Sequence, residues 1–441
     1  MNEYVGKRVT VAGLGHFGGG ISAARWLASR GARVLVTDTL APEKLAESVR
    51  QLDGLGIEFR LGEHRDEDFT GSDLVVASTA IPPHNPYLTA ARNAGVPITT
   101  EIRLFVERCP ATVWGVTGTK GKSTTTAMLG RMLATRFKTF VGGNIGKSLL
   151  EDLERIGRDD IVVLELSSFM LHYLGQIAWS PHVAVVTLIA DDHGPWHGSH
   201  QEYIEAKKNI LRNQKPDDFA VLNEESPLAM DFAKSTRARV IAYGLGNRKR
   251  FDLKIPGEHN QLNVQAAFTA AQTAGIDFSD AQRALCDFLG LPHRLQLVHE
   301  SGGVRYFNDS IATIPDAAIA ALGAFPSRKV IQIVGGFDKQ LPLVAMCTAL
   351  GKRAKAVLCI GQIGPDIARI MGQSQSGGAD VSNCGNLATA IVKARSIAVP
   401  GDVVLLSPGT SSYDQFASFE ERGEAFACLA RQEEGKDAGT K

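Results

Sequence analysis

The sequence predicts an α/β protein of three α/β domains in series, built on mainly parallel sheets. Three observations lead there. At 441 residues the chain is too long for one ordinary core, and two or three domains is the natural division. Apolar, β-branched runs alternate with helical patterns almost throughout, the rhythm of parallel strands joined by crossover helices. Glycine-rich loops stand at two strand-to-helix junctions, Gly13–Gly18 and Gly118–Ser123, and a helix N-terminus behind such a loop is a ready anion site.

The first domain is expected over residues 1–107. It opens with a strand Arg8–Ala12, a glycine turn, a helix through Trp26 and a strand Arg33–Val36, and continues through a strand Asp73–Ala77, a Rossmann-like order. Pro110 and a strand Thr112–Val116 begin a central domain of the P-loop ATPase type, residues 108–292, which ends at the Gly290-Leu291-Pro292 turn. A Rossmann-like C-terminal domain, 293–441, follows, with strands at Val304–Phe307, Lys329–Val334, Ala356–Ile360 and Asp402–Leu406. From Gln432 onward the chain is polar and is expected to fray.

Composition narrows the function. Hydrophobic residues make up 44% and charged residues 21%, ordinary for a globular protein. Lys+Arg and Asp+Glu both number 47, which gives no electrostatic case for nucleic acid or an anionic membrane. No run is long enough to be a transmembrane helix. Met1–Lys7 lacks the charged-then-apolar layout of a signal peptide. Six scattered cysteines without a CxxC pair suit reduced thiols, so the cytoplasm is the expected compartment.

The strongest chemical signal is TVWGVTGTKGKS, residues 112–123, followed by a helix-forming run. Backbone N–H groups of Gly118, Thr119, Lys120 and Gly121 would cradle phosphate oxygens. Lys122 would reach the outer phosphates, and Ser123 would ligate Mg²⁺. The common GxxxxGKS/T spacing is not met, because position 116 is Val. A glycine turn with a surface lysine is the plainer alternative. Downstream, the apolar strand Ile161–Glu165 ends in a carboxylate, fit for a metal or merely for water. A second run, Val183–Ile189, leads to Asp191, Asp192 and His193. Ser199 and Glu202 have the spacing of a capping box. On the helix that follows, Lys207 falls on the apolar stripe of Tyr203, Ile204, Ile210 and Leu211, whereas Lys208 projects elsewhere. A lysine aimed inward must pair, snorkel or lose its charge. His259 and Asn260 read locally as helix caps.

The first loop, Gly13-Leu14-Gly15-His16-Phe17-Gly18, with Asp38 about 20 residues on, is locally a dinucleotide fingerprint with its ribose-binding acid. NAD and any other diphosphate ligand stay open on these residues alone.

The whole chain resembles the Mur ligase family, in its glutamate-adding MurD-type branch. GTKGKS is similar to the family's GTxGKS/T loop. ELSSF at 165–169 is similar to its metal segment, and the stretch from Asp192 to Gly198 to its DHxDxHG segment. Gly257–Ala267 is similar to GxHNxxNxxAA, Leu291–Arg294 to LPHR, and SPGTSSYDQF at 407–416 to a segment that binds the incoming glutamate. The resemblance implies ATP on Gly118, Thr119, Lys120, Gly121, Lys122, Ser123 and Thr124, with Asn260, Asn263, Arg294 and Asp309, the last on the ribose. It implies Mg²⁺ on Ser123, Glu165, His193 and an N-carbamylated Lys207. It puts UDP rather than NAD on the first loop, through Gly15, Asp38 and Thr39, with Asn144 facing the muramoyl end. It puts glutamate on Thr313, Lys339, Ser412 and Phe419. Three positions depart from the family pattern: Leu188 replaces an Asn, Pro195 an acid, and Ile311 the lysine of NDSKATN.

The implied activity is an ATP-dependent acid–amino-acid ligase of peptidoglycan precursor synthesis, adding D-glutamate to UDP-N-acetylmuramoyl-L-alanine through an acyl phosphate. Lys122, Lys207 and His193 carry the catalytic roles, and the chain is expected to act as a monomer. The alternatives are the same chemistry with L-glutamate, an NAD-dependent oxidoreductase, and a nucleotide-binding protein without catalysis. The oxidoreductase leaves Gly118–Ser123 and Lys207 unexplained.

Overall fold

Runs such as VVLE and VIQIV, apolar on consecutive positions, form strands covered on both faces, as parallel sheets require. A computed structural model describes residues 3–14, 18–190, 194–373 and 378–432. Three sheets organise them. The first holds β1 (Arg8–Ala12), β2 (Arg33–Asp38), β3 (Glu58–Leu61), β4 (Leu74–Ala77) and β5 (Ile98–Thr99), all parallel, in the order β3-β2-β1-β4-β5. The second holds β6 (Thr112–Thr117), β7 (Thr139–Gly143), β8 (Ile161–Glu165), β9 (Val183–Val186), β10 (Phe219–Asn223) and β11 (Arg239–Tyr243), again parallel, in the order β11-β10-β9-β6-β8-β7. The third holds β12 (Gln296–Ser301), β13 (Val304–Asn308), β14 (Val330–Gly335), β15 (Ala356–Ile360), β16 (Asp380–Gly385) and β17 (Val403–Leu406). Its order is β12-β13-β17-β14-β15-β16, and only the edge pair β12–β13 is antiparallel.

Two details differ from the sequence reading. The run Val183–Ile189 leaves its sheet at Val186, because the next residues bond to the loop after β6: Thr119 N donates to Leu188 O at 2.6 Å. The helix Glu258–Gln272 starts at Glu258, so His259 and Asn260 lie in its first turn rather than capping it.

The residues group into two compact units. Met1–Arg250 with Leu262–Ala284 forms the first, and Phe251–Gln261 with Leu285–Lys441 the second. The first unit contains both of the first two sheets. One apolar core joins them, with Val11 and Leu27 from one side, Leu164 and Leu171 from the other, and Phe105 and Leu150 between. Each such fully buried side chain contributes roughly 1.5–3 kcal/mol. Polar contacts cross the same junction: Arg25 pairs with Glu151 at 3.1 Å, and Ser22 Oγ donates to Glu151 at 2.8 Å. In the second unit, β14 and β17 alternate: Val330, Val334 and Leu405 face one core, and Ile331, Ile333, Val404 and Leu406 face the other.

Glu101, on the first turn of the helix Glu101–Val106, accepts a hydrogen bond from Ser148 across the junction of the first two sheets. Burial of its carboxyl pushes the pKa up to about 7 against the lowering by Ser148, although part of the residue still meets solvent. Its native form therefore holds a proton that the unfolded chain has released. Stability should fall as pH rises from about 4.5 to about 7, and level off above that. Chemical denaturation across this range should show a flatter profile for Glu101→Gln. Parallel profiles for variant and wild type would contradict the assignment.

Candidate functional site

In the first unit, the loop after β6 is shaped by two glycines. Gly118 takes φ +152°, and a Cβ there would lie 1.9 Å from Thr187 Oγ1. Gly121 takes φ +89°, and its Cβ would lie 2.4 Å from Asn263 Oδ1. Side chains hold the loop in place. Thr119 Oγ1 donates to Ala190 O at 3.0 Å or shares a 2.6 Å bond with Tyr203 Oη, and accepts from Ala190 N at 2.9 Å. Thr187 Oγ1 lies 3.1 Å from Thr117 O and 2.7 Å from Lys120 O. The Thr119 side chain thus fastens the loop. Lys120 is exposed, Ser123 and Thr124 are buried, and Lys122 Nζ donates to Thr119 O at 3.0 Å.

Lys207 does not snorkel. It is 2% exposed, on the helix His200–Arg212 that Ser199 caps by accepting from Glu202 N. Its Nζ donates to Gly118 O at 2.8 Å, lies 3.5 Å from Thr117 Oγ1, and sits 4.8 Å from the centre of the Tyr203 ring. Lys208, one position on, pairs with Glu205 at 3.2 Å and Asp231 at 3.5 Å. The inward lysine therefore touches the backbone of the glycine loop itself.

Glu165 ends β8 and is 1% exposed. Its Oε1 accepts from Asn144 Nδ2 at 2.8 Å, and Asn144 N bonds back to Glu165 O at 2.8 Å. Its Oε2 is buried with no hydrogen-bond donor among the described residues. A buried carboxylate oxygen left this way costs several kcal/mol unless a cation satisfies it, so the donor set fits a hard metal ion. Among the described residues, no three His, Cys, Asp or Glu side chains cluster as a complete protein-made metal site. His193, with Asp191 and Asp192, lies outside the described residues, as does Gly15. His197 is structural: its Nε2 meets Ser168 Oγ at 2.9 Å in a buried contact.

On the first loop, Gly13 takes φ +85°. Asp38 is 6% exposed and accepts from Leu14 N at 2.8 Å and Leu40 N at 2.9 Å, locking the loop to the end of β2; Thr39 is exposed. Gly20 was not singled out from the sequence, yet its Cβ would lie 2.5 Å from Gly13 O. The Gly18-Gly19-Gly20 run was the available signal.

In the second unit, Asn260 Nδ2 donates to Pro256 O at 2.6 Å. Arg294 is half-buried, and its side chain makes no hydrogen bond among the described residues. Asp309, at the end of β13, is 6% exposed; its Oδ1 accepts from Leu295 N at 3.1 Å and its Oδ2 from Ser407 Oγ at 2.7 Å. Burial pushes its carboxyl up to about 7, opposed by those two donors and by the Arg294 charge. Lys339 is exposed and lies 3.4 Å from Thr313 O; Ser412 is buried; and the half-buried Phe419 ring stands edge-on to His293 at 5.9 Å. Ile311, two positions before Thr313, is exposed in part.

Arg422 was missed. It is 1% exposed; Nε donates to Ser310 Oγ at 3.0 Å, and Nη2 to Ser310 O at 2.9 Å and Thr410 O at 3.1 Å. It ties the strand-end residues near Asp309 to the segment before Ser412. Burial lowers its pKa to about 10. The signal was its place between Phe419 and Phe426 on one helical stripe, the same sign that marked Lys207.

Three family models match in order: a Mur ligase MurD-like N-terminal domain at residues 7–100, a Mur ligase middle domain at 116–252, and a Mur ligase glutamate ligase domain at 293–410. The chain is 41% identical to the UDP-N-acetylmuramoylalanine--D-glutamate ligase of Roseiflexus sp. (strain RS-1), over 96% of this chain and 98% of that one. The chain belongs to the Mur ligase family. The protein so named from Anaeromyxobacter dehalogenans (strain 2CP-C) is 39% identical, over 98% and 99% of the two chains. Among solved structures, MurC from Thermotoga maritima is similar with a TM-score of 0.61 at 22% identity, covering 95% of this chain and 98% of that one. MurF from the same organism, in complex with ADP, is similar with a TM-score of 0.57 at 19% identity, covering 98% and 96%. Both likenesses concern the fold. Membership makes this Mur ligase an enzyme of the ligase class and retires the oxidoreductase reading of the first loop, which falls within the MurD-like match.

The packing around the glycine loop of this Mur ligase is tight enough to test directly. Gly118→Ala must push back Thr187 and take up a backbone angle that side chains avoid. Urea denaturation should show a loss of at least about 2 kcal/mol. A loss below about 0.5 kcal/mol, the ordinary surface range, would contradict this loop geometry.

Proposed function

We propose that this Mur ligase joins glutamate to UDP-N-acetylmuramoyl-L-alanine at the expense of ATP, in peptidoglycan precursor synthesis. The observation that carries the reading is the glycine loop, bare of side chains at Gly118 and Gly121 and gripped from beneath by the buried Lys207. The names of the relatives, matched over nearly their full length, supply the substrates.

ATP is assigned to Gly118, Thr119, Lys120, Gly121, Lys122, Ser123 and Thr124, with Asn260, Asn263, Arg294 and Asp309. UDP is assigned to Gly15, Asp38 and Thr39, the muramoyl end to Asn144, and glutamate to Thr313, Lys339, Ser412 and Phe419. Ser123, Glu165, His193 and a carbamylated Lys207 would hold Mg²⁺, which when bound neutralises charge between reacting anions. The orphaned Oε2 of Glu165 supports that assignment. A division into domains at 1–107, 108–292 and 293–441 is supported by the order of the three family matches. The free cysteines and the nucleotide substrates support a cytoplasmic enzyme, and the chain is expected to act as a monomer. No helix among the described residues is long and apolar enough to cross a membrane.

The chemistry needs no protein nucleophile. A terminal carboxylate oxygen of UDP-N-acetylmuramoyl-L-alanine attacks the γ-phosphorus of ATP as the bond to ADP breaks, giving an acyl phosphate. The glutamate amine attacks the acyl carbon, loses a proton, and phosphate leaves. Lys122 holds positive charge at the phosphates throughout, so positioning and electrostatics supply the rate. Phosphate release from ATP should require both UDP-N-acetylmuramoyl-L-alanine and glutamate. Release without either, or none with both, would overturn the function.

With Ile311 in place of a lysine, Lys339 is the only lysine among the residues assigned to glutamate. We assign the D form, as in the names of the relatives. In competition at equal concentration, D-glutamate should dominate the product; dominant L-glutamate would reverse the assignment.

The buried Lys207 amine supports a carbamate, which turns a cation into an anion suited to a divalent ion. Lys207→Ala should lower turnover by at least about a hundredfold, and Lys208→Ala by less than about threefold. NMR with ¹³C-bicarbonate should show a carbamate resonance that Lys207→Ala removes. A resonance that persists in the variant, or equal losses in the two variants, would contradict the assignment.

A further inference from the structure

Two loops of the first unit stand side by side at the carboxyl ends of the first sheet. The strand order β3-β2-β1-β4-β5 reverses its direction of growth between β1 and β4. In an open parallel sheet a ligand lies at that reversal, between the loops that follow the two strands. The loop after β1 is the Gly13 loop, to which UDP is assigned. The loop after β4, residues 78–83, carries no assignment. The two loops touch: a Cβ on Gly13 would lie 2.8 Å from Ser78 Cβ and 3.5 Å from Ile81 Cδ1. A shift of Ser78 or Ile81 therefore changes the space beside Gly13.

The loop at 78–83 is held largely from outside itself. Pro82 and Pro83 have no N–H to give, and three of its carbonyls accept from side chains elsewhere. Trp196 Nε1 donates to Ala80 O at 3.1 Å, Tyr173 Oη to Ile81 O at 3.2 Å, and Arg92 Nη1 to Pro83 O at 2.8 Å. Arg92 belongs to the helix Pro86–Asn93 just after the loop, but the other two come from the part of the unit built on the second sheet. Tyr173 lies on the helix Ser168–Gly175, which follows Glu165 at the end of β8. Trp196 lies on the short helix Gly194–His197, which follows His193 in sequence. Both donors are fixed by packing. Tyr173 is 1% exposed, and burial raises its pKa, so the hydroxyl keeps its proton. The Trp196 ring centre is 4.5 Å from Phe169 and 4.5 Å from His197. Two anchored donors thus set the orientation of two successive peptide groups in the loop that abuts Gly13.

We propose that Tyr173 and Trp196 are positioning residues for the UDP end of the substrate: they hold the carbonyls of Ala80 and Ile81, and with them the wall of the crevice beside the Gly13 loop. The proposal rests on the ligase reading, which puts UDP on that loop. The two residues act through residues 78–83, so the effect of losing them falls on the ligand of the first sheet and spares the ligand of the Gly118 loop.

Calorimetry on the full chain tests it, with UDP and ATP as separate probes. Tyr173→Phe removes only a hydroxyl, and Trp196→Phe removes the N–H while keeping an aromatic ring. Each should weaken UDP by roughly two- to tenfold, the size of one neutral hydrogen bond, and the double variant by at least about fivefold. ATP affinity should stay within about twofold of wild type in all three, a split that a general loosening of the fold would not produce. A double variant that binds UDP within about fivefold of wild type, or that loses ATP as much as UDP, would overturn the proposal. Should Trp196→Phe fail to fold, Tyr173→Phe decides alone, with about twofold as the threshold. The wild type separates the two readings. A wild type that binds no UDP refutes the assignment of the first loop and the proposal with it, whereas a wild type that binds UDP no better than the variants refutes the proposal alone.

Discussion

Gly118 and Gly121 approach Thr187 and Asn263 more closely than any side chain allows, and the first unit is arranged around that approach. The run Val183–Ile189 gives up its last three residues, Thr187, Leu188 and Ile189, to it. Instead of continuing in the sheet, Thr187–Ala190 turns to bond with the loop through Thr119 and Lys120. The helix His200–Arg212 aims Lys207 at the carbonyl of Gly118. A loop fixed this way is already shaped when an anion arrives, which is the condition for electrostatic catalysis, although its Thr119 N–H is given to Leu188 O.

The second unit meets the same demand by other means. Asp309, Thr313, Lys339 and Ser412 follow the ends of β13, β14 and β17, and buried charged groups fix the segments there from behind. Arg422 joins Ser310 to Thr410, and Asp309 joins Leu295 to Ser407. Burying such groups is expensive unless each is hydrogen-bonded; their bonds run chiefly to backbone atoms and hydroxyls, and Arg422 Nη1 has no hydrogen-bond partner among the described residues. Lys339 is exposed and Arg294 half-buried, and these are the cations proposed to meet the ligands.

Much of this was legible in the residues, for identifiable reasons. The central strands β1, β6, β8, β14 and β15 are continuous apolar runs, and their bounds were read to within a residue or so. Edge strands such as β12 (QLVHES) and β16 (DVSNCG) are polar and half-exposed, and carry no comparable pattern. The antiparallel β12–β13 pair was missed with them. Lys207 could be placed because a charged residue on an apolar stripe is conspicuous, and Arg422 offered the same sign. The contacts that hold Asp309 were not legible. They join residues 14 and 98 positions apart through a backbone N–H and a hydroxyl, and no local pattern encodes such a pairing.

The central claim is that this chain activates a carboxylate with ATP and makes an amide without a protein nucleophile. Oxygen tracing tests it most directly. UDP-N-acetylmuramoyl-L-alanine labelled with ¹⁸O in its terminal carboxylate is turned over with ATP and glutamate, and the released phosphate is examined by mass spectrometry. The account predicts one ¹⁸O transferred to each phosphate, because the attacking carboxylate oxygen leaves with it. Unlabelled phosphate alongside normal amide formation would contradict it.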